Sequence, residues 1–207
     1  MSEISATAVK ELREISGAGV MDCKNALSQA SGNLDQAMDL LRKSGIAKAQ
    51  KKSGRSTKEG MIYSYIHPGE KLGVLIEINC ETDFVAKTED FISLIKDLAM
   101  HIAASAPISV KREEISLDLL GREKDIYADQ ARQSGKPKNI IDKMIEGRIN
   151  KFYQENVLLE QAFVKDPDKT VQDIITDTIA KLGENIVVSR FVRFQLGEQI
   201  NNSSVSS

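Results

Sequence analysis

Cysteine is scarce in this chain: its 207 residues include two, Cys23 and Cys80, far apart and each in an apolar context. Two such thiols make neither a disulfide framework nor a metal ligand set, so packed free thiols are expected. Histidine is equally scarce. His67 and His101 stand in no constellation with a serine or cysteine nucleophile and an acid, and no dense ligand spacing surrounds them. The sequence therefore offers no catalytic residue, no metal site and no cofactor site. Cys80 beside Glu81 comes nearest to a nucleophile, yet it ends an apolar strand with no base nearby in sequence. Charge of one sign is lacking too, since 28 basic residues face 30 acidic ones for a net charge of -2. Such a balance gives no general attraction to nucleic-acid backbones or anionic membranes. No apolar run approaches the roughly 18 to 20 residues that cross a bilayer, and Met1-Ser2-Glu3-Ile4-Ser5 lacks the basic-then-apolar pattern of a secretion signal. A soluble cytoplasmic protein with no membrane partner and no direct nucleic-acid partner is expected.

What is present begins with three short helices over residues 1–46. Ser5 caps the first, Ala8, Val9, Leu12 and Ile15 supply its apolar stripe, and Gly17 ends it in the left-handed conformation. Cys23, Ala26, Leu27 and Ala30 fall at i, i+3, i+4 and i+7 in the second, with Gly32 as the stop. Asn33 with Gln36 caps the third, whose Leu34, Ala37, Met38 and Leu41 repeat the spacing before Gly45. Three stripes on short helices imply a compact bundle similar to the ubiquitin-associated module, a docking unit. Gly17-Ala18-Gly19 lacks the preceding strand and following Lys-Ser or Lys-Thr of a phosphate loop and reads as a helix-helix turn.

Residues 47–60 are polar, basic and punctuated by glycine, which reads as a linker. The wider run Arg42, Lys43, Lys48, Lys51, Lys52, Arg55 and Lys58 carries no interleaved aromatic residue to stack on bases. A core follows over residues 61–198, opening with an antiparallel hairpin of strands at 61–67 and 73–80. A third strand comes from 186–194. Helices are expected at 88–104, 117–133, 137–161 and 171–182, the middle two forming a helical hairpin over about 117–161 broken at Gly135 and Pro137. Ile141, Ile145, Ile149 and Phe152 stripe one arm, and Leu120, Tyr127 and Ala131 the other, in a pattern suited to self-packing. Residues 199–207 are polar and read as a disordered tail. The fold class is α+β: a three-helix bundle, a linker, and a three-stranded antiparallel sheet with packed helices and a helical hairpin.

Thr82, Asp83, Phe84 and Val85 occupy the connection between the second strand and the helix that Thr88 caps. Val74, Ile76, Ile78 and Cys80 alternate before it, while Phe91, Leu94, Ile95, Leu98 and Ile102 repeat at helical spacing after it. Both flanking elements thus have complete apolar faces without Phe84. Two readings stay open on the residues alone. Phe84 tucks beneath its own loop with Asp83 as a turn residue, or it stands outward for a partner.

The run Asn79-Cys80-Glu81-Thr82-Asp83-Phe84-Val85-Ala86 resembles the signature of the elongation factor Ts family. Ser16-Gly17-Ala18-Gly19-Val20-Met21-Asp22-Cys23-Lys24 with Ala26-Leu27 is similar to the amino-terminal signature of that family. Ser134-Gly135-Lys136-Pro137 and Met144-Ile145-Glu146-Gly147-Arg148 resemble its helical segment, and Phe191-Val192-Arg193-Phe194 with Leu196-Gly197-Glu198 its last strand. The likeness runs in order over about 4–198. It implies a guanine nucleotide exchange factor for the translation GTPase elongation factor Tu, which promotes GDP release by disturbing the magnesium and phosphate site of the partner and is no enzyme in the bond-making sense. It further implies that Phe84 is a wedge, that Asp83 perturbs the polar network beside it, that Thr82 and Val85 fix the loop, and that Val20 and Met21 dock the partner. Longer members carry two copies of the core subdomain, so this chain resembles the short form, for which a homodimer is expected. The alternative is a ubiquitin-associated-like adaptor that binds peptides through its three-helix head.

Overall fold

The computed structural model describes residues 4–133 and 137–198. Among them are eight α-helices and five strands. In chain order these are α1 (Ala6–Ser16), α2 (Val20–Gln29), α3 (Leu34–Lys52), β1 (Glu59–Ile66), β2 (Leu72–Cys80), α4 (Asp83–Ala86), α5 (Glu89–Ser105), α6 (Leu117–Arg132), α7 (Lys138–Asn156), β3 (Ala162–Phe163), β4 (Asp166–Thr170), α8 (Val171–Leu182) and β5 (Ile186–Gln195). β1, β2 and β5 form an antiparallel sheet in the order β1-β2-β5, and β3 pairs with β4 in a separate ribbon. The α+β class and the three-stranded sheet agree with the sequence reading. The tail over 199–207, expected to be disordered, and the Ser134-Gly135-Lys136 break lie outside the described residues.

Two compact units interleave along the chain: Met1–Met61 with Ile78–Leu94 and Asp173–Val187, and Ile62–Glu77 with Ile95–Gln172 and Val188–Ser207. In the first unit, α1 to α3 pack around Leu12, Cys23, Ala26, Leu27, Ala30 and Ala37. The Ser5 hydroxyl accepts from the Ala8 amide at 3.1 Å and the Asn33 side chain from the Gln36 amide at 2.9 Å, so both expected caps form. Gly17 ends α1 at φ 65°. Ile15 departs from the expected stripe and is exposed.

Helix α3 also departs from expectation, because it passes through Gly45 and covers 47–52, read from composition as linker. A glycine inside a helix costs about 1 kcal/mol relative to alanine. Here it admits a close approach: a Cβ on Gly45 would lie 3.2 Å from the Ala180 Cβ of α8. Ala49 is buried on the extended part, Lys48 pairs with Asp22 at 2.8 Å, and the Lys52 ammonium donates to the Gly183 carbonyl. Packing of the last turns outweighs the glycine.

In the second unit α6 and α7 close on each other over Ile115, Phe152 and Val157, with Leu119, Leu120, Tyr127 and Tyr153 around them. The Arg112 guanidinium joins Glu160 and stacks 4.3 Å above the Tyr153 ring. Helix α7 stops at Asn156 rather than near 161, since Val157 turns extended and bridges Ser109. The β3-β4 ribbon was not anticipated; it has a two-residue strand and a proline at 167, which give no alternating signal. His101 is fully buried in this unit. Its Nδ1 accepts from the Val164 amide at 3.3 Å, which puts the ring proton on Nε2, 2.8 Å from the Gln161 Oε1 acceptor. Burial pushes its pKa below the usual histidine range, with the Gln161 bond acting weakly the other way.

Candidate functional site

Strand β2 buries Val74, Ile76, Ile78 and Cys80 and then meets Glu81 and Thr82, where the alternation ends. Thr82 is extended at φ -130° and caps α4, its hydroxyl accepting from the Val85 amide at 3.4 Å. The expected loop is therefore one helical turn, Asp83–Ala86. Thr88 closes it, donating to the Val85 carbonyl at 2.8 Å and accepting from the Phe91 amide at 3.3 Å to cap α5. Ala86 points inward and is 6% exposed.

Phe84 points the other way and is 79% exposed. Full burial of a phenylalanine is worth roughly 1.5 to 3 kcal/mol, and this one contributes little of that to its own fold. The side chain does not tuck beneath its own loop. Asp83 is half-exposed and bonds to Lys87 Nζ at 2.7 Å. That bond is the main reason its carboxyl is held below the usual carboxylate range, and it raises the Lys87 ammonium in turn.

The turn is braced from behind. Glu184, just after α8, accepts from the Glu81 amide at 3.1 Å and the Thr82 amide at 3.0 Å through Oε2, and from the Thr82 hydroxyl at 2.7 Å through Oε1. The Asn185 amide donates to Glu81 Oε1 at 2.7 Å, and its side chain donates to the Arg55 carbonyl at 2.9 Å. Arg55 pairs with Glu81 at 3.4 Å. Sequence reasoning missed this brace because its partners lie more than 100 residues apart. Cys80 donates its thiol proton to the Thr82 carbonyl at 3.1 Å, and burial, with Glu184 nearby, pushes its pKa up. A thiol so held is a packed group, poorly disposed to act as a nucleophile. Among the described residues no cluster of three or more His, Cys, Asp or Glu side chains could hold a metal ion.

Val20 and Met21, at the start of α2, are 49% and 65% exposed. Ile15, across the Gly17–Gly19 turn, is exposed as well. Thus Thr82 to Val85 come together on one turn, and Val20 and Met21 on another. A second feature escaped the sequence reading, the outer face of the sheet, where Ile62, Ile66, Leu75, Val192 and Phe194 are all exposed. The signal was partial: Ile62 and Ile66, Leu75, and Val192 and Phe194 stand at the outward positions of their strands, but among Ser64, Gly73, Glu77 and Arg190, which reads as an ordinary half-exposed face.

Folding and site together define an α+β protein that displays apolar side chains on braced turns. The family model described as elongation factor TS matches residues 3–198. Elongation factor Ts of Geobacter sulfurreducens is 60% identical over 195 residues, covering 94% of this chain and 90% of that protein. That of Fervidobacterium nodosum is 58% identical over 196 residues, covering 95% and 100% respectively. That of Thermoanaerobacter pseudethanolicus is 54% identical over 201 residues, covering 97% and 98%. The chain belongs to the elongation factor Ts family.

Proposed function

We propose that this chain is a guanine nucleotide exchange factor for the translation GTPase elongation factor Tu, acting in the cytoplasm and breaking no covalent bond. The observation that carries the reading is Phe84, 79% exposed on a capped and braced turn. GDP is held through its phosphates and a bridging magnesium ion, so a factor that speeds its release must weaken those contacts. Inserted beside that site, Phe84 buries apolar area worth roughly 1.5 to 3 kcal/mol, which offsets repacking of the partner. Asp83 brings a carboxylate that repels phosphate and competes for the donors around it. Its pairing with Lys87 keeps it charged and oriented until contact. Reciprocity follows: if the factor lowers nucleotide affinity by some ratio, nucleotide lowers factor affinity by the same ratio. Exchange then runs through a transient ternary complex that GTP resolves.

Ile15, Val20 and Met21 on the three-helix head supply affinity in this scheme, with methionine suited to an adaptable contact. The working unit is a homodimer joined through the outer face of the sheet. That reading is supported by an apolar groove along the face, lined by Ile66, Leu72, Gly73, Leu75, Phe194 and Leu196. The test of the function is release of fluorescent GDP from elongation factor Tu. Acceleration at substoichiometric factor is expected; release at the spontaneous rate across a full titration refutes the assignment.

A further inference from the structure

The turn that carries Phe84 has few internal restraints. It is four residues long, its cap bond to Val85 is 3.4 Å, and its most apolar side chain faces outward. A single helical turn is unstable on its own, because nucleation fixes several residues for one hydrogen bond. Thr88 holds its carboxyl-terminal end, and its amino-terminal end is held from outside. The Glu184 carboxylate is the group placed to do so, since its two oxygens take up the Glu81 amide, the Thr82 amide and the Thr82 hydroxyl.

The hydroxyl bond is the informative one. By donating its proton to Glu184, Thr82 Oγ1 turns its lone pairs toward the Val85 amide, the donor it caps. The carboxylate thus sets the rotor of the cap, and the cap sets the turn between Asp83 and Ala86. Glu184 is itself well anchored. Gly183 ends α8 at φ 81°, the Lys52 ammonium bonds the Gly183 carbonyl, and Asn185, 2% exposed, is tied to the Ser53 and Arg55 carbonyls. All these groups belong to the first compact unit.

We propose that Glu184 is a positioning residue for exchange: it touches no nucleotide, and holds the Thr82 cap so that Phe84 enters the partner in one orientation. The proposal rests on the exchange reading above, and two measurements keep their failures apart. Glutamine at 184 has the same size and its one oxygen can still take both backbone amides, but its amide group only donates, so the Thr82 hydroxyl can no longer give its proton to residue 184 and its rotor is released. Since the chain has no tryptophan, Phe84→Trp places a single indole on the turn, readable without any GTPase. Adding Glu184→Gln to Phe84→Trp should lower the anisotropy of that indole. In the otherwise natural chain, Glu184→Gln should cut the maximal rate of GDP release about tenfold and leave the half-saturating concentration within about twofold. Thr82→Ala should match it, Thr82→Ser should restore the natural rate, and the double variant Thr82→Ala with Glu184→Gln should be no slower than either single one, the mark of a shared pathway. If Glu184→Gln lowers the melting temperature while indole anisotropy and maximal rate stay unchanged, Glu184 is only structural and the proposal falls. If the natural chain does not release GDP, the exchange reading fails, and the anisotropy comparison still decides whether Glu184 orders the turn.

Discussion

Phe84 and Phe91 are seven positions apart and opposite in environment, one 79% exposed and the other fully buried. Stability and activity should separate between them. Phe84→Ala should leave thermal stability nearly unchanged, because the side chain gains little from its own fold. Phe91→Ala should cost on the order of 3 to 5 kcal/mol. Exchange by Phe84→Ala should fall about tenfold or more, equivalent to roughly 1.4 kcal/mol in the barrier. Asp83→Ala should fall less, since it removes repulsion and leaves the wedge. Paired melting and GDP-release measurements on the same preparations check this; a Phe84→Ala protein that melts early and exchanges normally would refute it. Gly60 makes a second residue-scale case. Its φ is 146°, and a Cβ there would lie 2.2 Å from the Ile78 carbonyl oxygen and 2.7 Å from the Asn79 Cα. Those atoms are backbone and cannot step aside. Gly60→Ala should therefore cost about 2 kcal/mol or more in urea unfolding, combining a clash with an unfavourable dihedral.

Among the elements, the end of α5 is joined to β3 and the segment after α7 by His101 and Gln161. Gln161 also donates to the Glu155 carbonyl at 2.8 Å and the Ser105 carbonyl at 3.3 Å. Since burial depresses the pKa of His101, folded and unfolded states differ in proton uptake. Above the unfolded value of about 6.5 both hold the ring neutral, and this residue adds no pH dependence. Below it the unfolded chain binds a proton that the folded chain refuses. Stability is therefore lost as pH falls from about 6.5 toward the depressed folded value, by at most about 1.4 kcal/mol per pH unit. Melts between pH 7.5 and 5.5 should show that slope, and His101→Gln should flatten it even if stability is lower throughout. Element by element, legibility followed signal type. Helix α8 was readable to both ends because its apolar repeat is uninterrupted, and Ser5, Gly17 and Asn33 mark their helix ends with local chemistry. Gly45 misled because the close approach it permits, to Ala180, is a tertiary contact. Thr82 to Val85 were legible as the connection that carries Phe84, whereas the Glu184 carboxylate behind them was not, since a lone glutamate after a helix has no pattern of its own.

At the scale of the whole molecule, the proposed homodimer is tested at the outer face of the sheet. Ile62, Ile66, Leu75, Val192, Phe194 and Leu196 are each between 45% and 75% exposed. These six side chains share the face with Ser64, Gly73, Glu77 and Arg190, so it carries an apolar patch of the kind that marks an interaction surface. Arg190 and Glu77 on this face pair at 2.7 Å, so a covering copy would desolvate a matched pair rather than an isolated charge. In the homodimer proposed above, two such faces would pack by two-fold symmetry, about 10 Å apart as in a sandwich. Light scattering at tens of micromolar should thus give twice the chain mass, with a melting temperature that rises with concentration. Leu75, on the central strand, is the place to break the pairing. Leu75→Lys sets two ammonium groups into the apolar contact, and the variant should scatter as a single chain and melt independently of concentration. Its exchange rate then locates the function of the pairing. A monomeric variant that has lost exchange while keeping a cooperative melt makes the second chain part of the machine. A natural chain that is a clean monomer and exchanges fully would overturn the homodimer, and the apolar face would need another occupant.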